Sequence, residues 1–245
     1  FAISYELRAM NSARDQSQRP FDRTLFLMLN TASKSMLIDT HAHLEMREFN
    51  DDRDDVIKRA REAGVEYIVT IGTTVESCRD AVLLADKNES IYAAIGIHPH
   101  EVKDILHPAY EIIRHFAQHK KVVAYGEIGL DYHYEHSPRT DQRRKFRDML
   151  REARELKLPI IVHDRDAHED TLQILTEEWS PGLGGVMHCF SGDVELAKTF
   201  IEMGFLISIA GPVTFPKAEA LREVVRRIPI EHLLVETDAP YLSPV

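Results

Sequence analysis

At 245 residues, with 44% hydrophobic and 29% charged side chains, the chain has ordinary globular composition, enough for one large domain or two small ones. A formal net charge of −10 argues against a protein that coats nucleic acid through a basic surface, though not against a local metal site that binds phosphate. Two cysteines in unlike contexts, Cys78 and Cys189, make no disulfide framework, and no run approaches the roughly 18 apolar residues that span a bilayer, so a soluble protein of the reducing cytoplasm is expected.

Residues 1–35 differ from the rest. "NSARDQSQRPFDR" is polar and patternless, and the apolar patch "TLFLMLNTA" is too short and too late for a signal-peptide core. The segment is expected to be an irregular leader outside the fold, with a cleaved targeting segment as the alternative. One domain is expected over 36–245.

From Leu37 the pattern becomes regular. Eight short apolar runs follow in order: "MLIDTHAH", "YIVTIGT", "IYAAIGIHPH", "VVAYGEIGLD", "LPIIVHDR", "GGVMHCFSG", "FLISIAGP" and "HLLVETDAP". Between them lie seven stretches with helical spacing, among them Ala81, Leu84 and Ala85, and Phe146, Leu150, Ala153 and Leu156. Strands apolar on both faces that alternate with helices indicate a parallel sheet covered by helices. Eight units, with no "GxGxxG" or "GxxxxGK" turn, predict the α/β class and a (β/α)₈ TIM barrel rather than an open sheet. Because the chain stops just after the eighth strand, the barrel is expected to lack its final helix.

A barrel gathers the C-terminal ends of its strands at one mouth. His41 and His43 share a face of an extended strand, and two adjacent imidazoles are poor core material but good ligands for a divalent cation. Glu127, His163, His188 and Asp238 are expected at the ends of strands four, five, six and eight. Taken singly, each has a bland explanation: a hydrogen-bonded structural histidine, or a carboxylate capping the next helix. Six nitrogen and oxygen ligands at the same end of five strands do not, and six such ligands with a carboxylate placed to bridge suit two metals.

In this order "DTHAHL", "GIHPH", "GEIGLDY", "VHDRDA", "HCFSG" and "ETDAPYL" resemble the TatD family of metal-dependent deoxyribonucleases, within the amidohydrolase-like barrels, over about residues 37–245. The resemblance implies that His41, His43 and Asp238 hold one metal, that His163 and His188 hold the other, and that Glu127 bridges them. It implies hydrolysis of DNA phosphodiesters, often from the 3′ end of a single strand, with magnesium or manganese favoured and zinc possible. No membrane and no obligate protein partner are implied. Two departures from the family pattern are the leader and the absence of a basic loop and last helix after "ETDAPYLSP".

The chemistry of an anionic diester attacked by water assigns further roles. Asp238 is the candidate general base, with Glu236, two residues earlier and expected on the same strand face, its rival or its supporting carboxylate; Asp238 and Glu127 are the expected catalytic carboxylates. Arg165, just past His163, is expected to fork onto a phosphate oxygen, against a surface ion pair with Asp164 or Asp166. His98 in "GIHPH" is expected to contact substrate, and Tyr132, Tyr134 and Phe190 are candidates for stacking on bases, against the more common role of lining a loop. Cys189, alternating with His188, is expected to face the helix layer. The competing readings are a barrel hydrolase acting on a small ester, amide or phosphotriester, and a non-catalytic metal-binding barrel serving as a binding module. Relatives in the wider superfamily that carry a carboxylated lysine where Glu127 stands make the first less favoured, and the intact ligand set does the same for the second.

Overall fold

The computed structural model describes residues 37–105 and 107–245, so the expected leader at 1–35 lies outside the described residues. Strands β1 (Leu37–Ala42), β2 (Val65–Gly72), β3 (Ile91–Ile95), β4 (Val122–Asp131), β5 (Ile160–Arg165), β6 (Gly185–Met187), β7 (Phe205–Ile209) and β8 (Leu233–Val235) form one sheet. Each pairs in parallel with its neighbours in sequence order. Beyond the strand ends, β8 is drawn to β1 by Asp238 N donating to His41 O at 2.8 Å and His43 N donating to Ala239 O at 2.8 Å. Thr40 Oγ1 also donates to Val235 O at 3.0 Å. The barrel expected from the alternation is therefore present.

Helices α1 (Arg53–Glu62), α2 (Val75–Lys87), α3 (His107–Phe116), α4 (Arg139–Leu156), α5 (His168–Glu178), α6 (Val194–Glu202) and α7 (Glu219–Arg227) fill the connections, the seven α-helices among the described residues. Two show how sequence sets their position. In α2 a capping box between Thr74 and Ser77 satisfies the first turn, and Cys78, Ala81, Val82 and Ala85 are buried at the spacing of one helix face. In α4 the same spacing buries Phe146, Met149, Leu150 and Ala153, while buried Gln142 bonds both the N–H and the carbonyl of Asp131. That clamp fixes the end of β4. By contrast α1 buries no residue fully, although its sequence pattern is helical.

Strand lengths depart from expectation at the mouth. β6 and β8 hold only three residues each, so His188 and Asp238 lie past their ends rather than on them. Left-handed backbone at Cys189 (φ 42°) and Asp238 (φ 55°) turns the chain out of extended geometry there. β4 spans the whole run "VVAYGEIGLD", so Glu127 sits within it, not at its end. Gly129 makes this possible: at φ +144° it lies so close to β5 that a Cβ would stand 2.0 Å from the His163 carbonyl oxygen.

Candidate metal centre

β1 carries His41 into the mouth at 1% exposure, with His43 one residue beyond the strand. His43 Nδ1 lies 3.0 Å from Ile71 O on β2, which leaves Nε2 3.4 Å from Asp238 Oδ1. His41 Nε2 lies 3.5 Å from Glu127 Oε2 and 3.7 Å from Asp238 Oδ1. Among the described residues, neither ring nitrogen of His41 has a hydrogen-bond partner. A buried imidazole without partners is costly unless something else takes its lone pair.

Glu127, 2% exposed, divides its oxygens between two groups. Oε2 faces His41, while Oε1 lies 2.7 Å from His163 Nδ1 and 3.4 Å from His188 Nε2. Each of those imidazoles has a carboxylate behind it. Asp131 Oδ2 is 3.1 Å from His163 Nε2, and Glu236 Oε1 is 2.8 Å from His188 Nδ1. Glu236 is itself held by Ser208 Oγ at 2.6 Å and by the N–H of Cys189 at 2.8 Å. A carboxylate behind an imidazole selects its tautomer and raises its basicity, leaving the other nitrogen for a metal. His163 then offers Nδ1, whereas His43 and His188 offer Nε2.

Charge follows the same layout. Burial opposes ionisation of Glu127, but His188, His98 and His41 outweigh it and hold this carboxyl well below the usual range. Burial opposes the charge on His163 too, yet Asp131 and Glu127 raise it to about 9. Burial pushes His41 down, with His188 adding to the effect.

Among the described residues, three overlapping sets of three ligand-type groups lie close enough to hold an ion: His41, His188 and Asp238; His41, His43 and Glu127; and His98, Glu127 and His163. All six predicted ligands thus converge, and the unpartnered His41 nitrogens and the split Glu127 carboxylate fit divalent cations. His98 joins the cluster itself, with Nε2 3.4 Å from His163 Nδ1 and 3.7 Å from Glu127 Oε1. Arg165, the exposed last residue of β5, forms no ion pair among the described residues: Asp164 pairs with His168 at 2.8 Å and Asp166 with His133 at 3.0 Å. The surface salt bridge that competed with its predicted role is not formed.

Three expectations need correction. Cys189 lies in a tight turn past β6 with its backbone N–H on Glu236, so strand alternation does not set its direction. Glu236 and Asp238 likewise follow β8 and share no strand face, because Asp238 is left-handed. Phe190 is buried, packed at 6.4 Å against Phe200, and is not available to a base.

Sequence reasoning assigns no role to Asp131, or to Asp39 and Glu45, the acids that flank the two histidines in "LIDTHAHLE". Asp131 carried a signal, for it shares strand parity with Glu127 in "GEIGLD". Asp39 Oδ1 accepts from the N–H groups of His41 and Thr237, and Oδ2 from Thr237 Oγ1 at 2.6 Å, which ties the Asp238 loop to β1. Burial pushes Asp39 up to about 6 despite those bonds. Glu45 accepts from Thr70 Oγ1 at 2.6 Å, with its other oxygen 3.8 Å from His43 Nδ1.

A family model described as TatD related DNase matches residues 38–245. The chain is 44% identical over 209 residues to a Bacillus subtilis (strain 168) protein named uncharacterized metal-dependent hydrolase YabD, covering 85% of this chain and 82% of that one. It is 39% identical over 210 residues to a Shigella flexneri serotype 5b protein named 3′-5′ ssDNA/RNA exonuclease TatD, with 85% and 80% covered. Among solved structures, the TatD homologue YJJV of Escherichia coli K12 superposes with a TM-score of 0.81 at 33% identity, over 85% of this chain and 81% of that one.

Proposed function

Since the chain belongs to the TatD family of metal-dependent hydrolases, we propose that it cleaves DNA phosphodiester bonds, releasing nucleotides from the 3′ end of single strands with the help of two divalent cations. The observation that carries this reading is the division of the Glu127 carboxylate between His41 on one side and His163 and His188 on the other.

In this reading His41, His43 and Asp238 hold one cation, His163 and His188 hold the other, and Glu127 spans both. Magnesium or manganese is favoured and zinc also suits the mixed imidazole and carboxylate set. When bound, the cations would neutralise the phosphate and lower the pKa of an attacking water. The protein's own groups do the rest. Asp238, held below the usual carboxylate value by His43, His188 and His41 against its burial, stays ionised and accepts the proton of the water. Glu236 keeps His188 oriented and is a supporting carboxylate, not the base. Arg165, with no ion-pair partner among the described residues, takes a phosphate oxygen. His98, beside Glu127 and His163, is assigned the contact with a non-bridging oxygen of the substrate.

The test is release of mononucleotides from single-stranded DNA labelled at its 3′ or 5′ end, with magnesium, manganese or zinc added to purified protein. Label lost first from the 3′ end supports the reading. A metal-loaded protein that leaves DNA intact but hydrolyses a carboxylic ester or amide would remove the substrate and keep the hydrolase.

A further inference from the structure

The loop after β4 holds a ring that the proposed hydrolysis does not use. Tyr134 is 60% exposed, although its neighbours fix it closely. The imidazoles of His133, His100 and His136 stand near it at centroid distances of 4.6, 5.6 and 5.8 Å, each steeply inclined to its plane. Its backbone N–H donates to Asp131 Oδ1 at 2.8 Å, and the N–H of His133 donates to the same oxygen at 3.0 Å. Below the loop, Ser137 Oγ donates to His100 O at 2.7 Å and Gln142 Nε2 to Ser137 O at 2.8 Å.

An exposed aromatic ring held this firmly has already lost much of the freedom that binding a flat ligand would otherwise remove. Its place matters as much. Asp131 holds Tyr134 with Oδ1 and the ligand-type His163 with Oδ2, so one carboxylate sets the spacing between the ring and the candidate metal centre. A single imidazole intervenes: His100 lies 5.6 Å from Tyr134 and 6.4 Å from His163. Of the other aromatics considered from sequence, Phe190 is buried, and the face of Tyr132 is covered by Arg139 at 4.3 Å with its hydroxyl bonded to Asp170.

We propose that Tyr134 is the stacking platform for a nucleobase of the strand whose scissile phosphate lies at the metal centre, which rests on the nucleic-acid reading above. Stacking uses the π-face that every base has, so the platform sets where the strand is held without selecting sequence. Asp131 acts through both neighbours as a positioning residue, coupling the register of the strand to the centre that cuts it.

The experiment compares the metal-loaded full chain with its Tyr134→Ala and Tyr134→Phe variants on single-stranded oligonucleotides, intact or with one abasic residue at successive positions from the cleaved end. Loss of stacking should raise KM for intact DNA by roughly 5- to 150-fold in Tyr134→Ala, with kcat nearly unchanged. Tyr134→Phe should behave as the parent, because the hydroxyl is not needed. An abasic residue at the stacked position should weaken the parent by a similar factor and leave Tyr134→Ala no worse. Unchanged KM in Tyr134→Ala, or a parent indifferent to every abasic position, overturns the proposal while the nuclease reading stands. A parent that releases no nucleotides at all takes both down.

Discussion

Asp131 stands behind His163: its Oδ2 lies 3.1 Å from Nε2 of an imidazole whose Nδ1 faces Glu127 at 2.7 Å. The aspartate is almost fully buried, and His100 also lies 2.9 Å from the same oxygen. Carboxylates in this position typically change metal affinity by about 10- to 100-fold when altered. Asp131→Asn keeps the shape and the acceptor toward the 133–134 backbone but removes the charge behind His163. Metal affinity, measured by competition with a chelating dye, should fall by about that factor. Equal affinity in parent and variant would leave Asp131 a purely structural residue.

Because cations bind only the folded state, metal at about a hundred times its Kd should add roughly 2.7 kcal/mol of stability. For a domain of this size that raises the melting temperature by about 5 to 10 °C, and a chelator should reverse it. Elemental analysis is expected to approach two ions per chain, falling in His163→Ala and His188→Ala. A ceiling of one ion, indifferent to both substitutions, would remove the second site.

Asp238→Asn retains a side chain of the same shape beside His43 but removes the charge and most of the basicity. Loss of a general base alone lowers rate by about 10² to 10⁴, and loss of a metal ligand adds to this. Glu236→Gln should cost less at saturating metal, since it reaches the centre only through His188. Steady-state kinetics on single-stranded DNA decide the order. Glu236→Gln falling as far as Asp238→Asn at saturating metal would transfer the role of base to Glu236.

His168 opens α5 with its Nδ1 2.8 Å from Asp164 Oδ2. That hydrogen bond raises its pKa, against a smaller opposing effect of burial. A histidine raised in the folded state contributes stability that is fully present below its unfolded value of about 6.5 and lost as pH climbs through the folded value. His168→Gln should therefore melt below the parent on the acid side of that window and match it on the alkaline side. A gap independent of pH would show that the pair stabilises by packing alone.

Leu37 at 46% and Val235 at 56% exposure bare apolar surface on neighbouring β1 and β8. Exposed apolar patches on strands promote association. Replacing both with threonine keeps strand propensity, should reduce self-association in sedimentation velocity, and should change stability by no more than about 0.5 kcal/mol per site. Unaltered sedimentation would clear this surface of a role in association.

The alternation of strands and helices was readable because burial against helices leaves each strand continuously apolar, while Ala81 and Ala85 or Phe146 and Leu150 repeat at helical spacing. The six candidate ligands were readable for a related reason. Histidines and carboxylates at the ends of such strands have no place in an apolar core, and barrel topology brings strand ends together wherever they fall in the chain. Element ends were less readable. Nothing in "MHCFSG" or "ETDAP" announces left-handed backbone at Cys189 and Asp238, and those turns rather than strand pleating aim His188 and Asp238.

By itself, then, the sequence determined the barrel and the mouth at which the six candidate ligands gather, since both follow from local periodicity and residue type. Only the tertiary structure decided which nitrogen each imidazole turns inward, because that depends on partners far away in sequence: Ile71 behind His43, Asp131 behind His163, Glu236 behind His188. It also decided that Tyr134 stays exposed while Phe190 is buried. Both rings follow a candidate ligand closely in sequence, but the turn past β6 folds Phe190 against Phe200, whereas Asp131 pins the β4 loop with Tyr134 held outward.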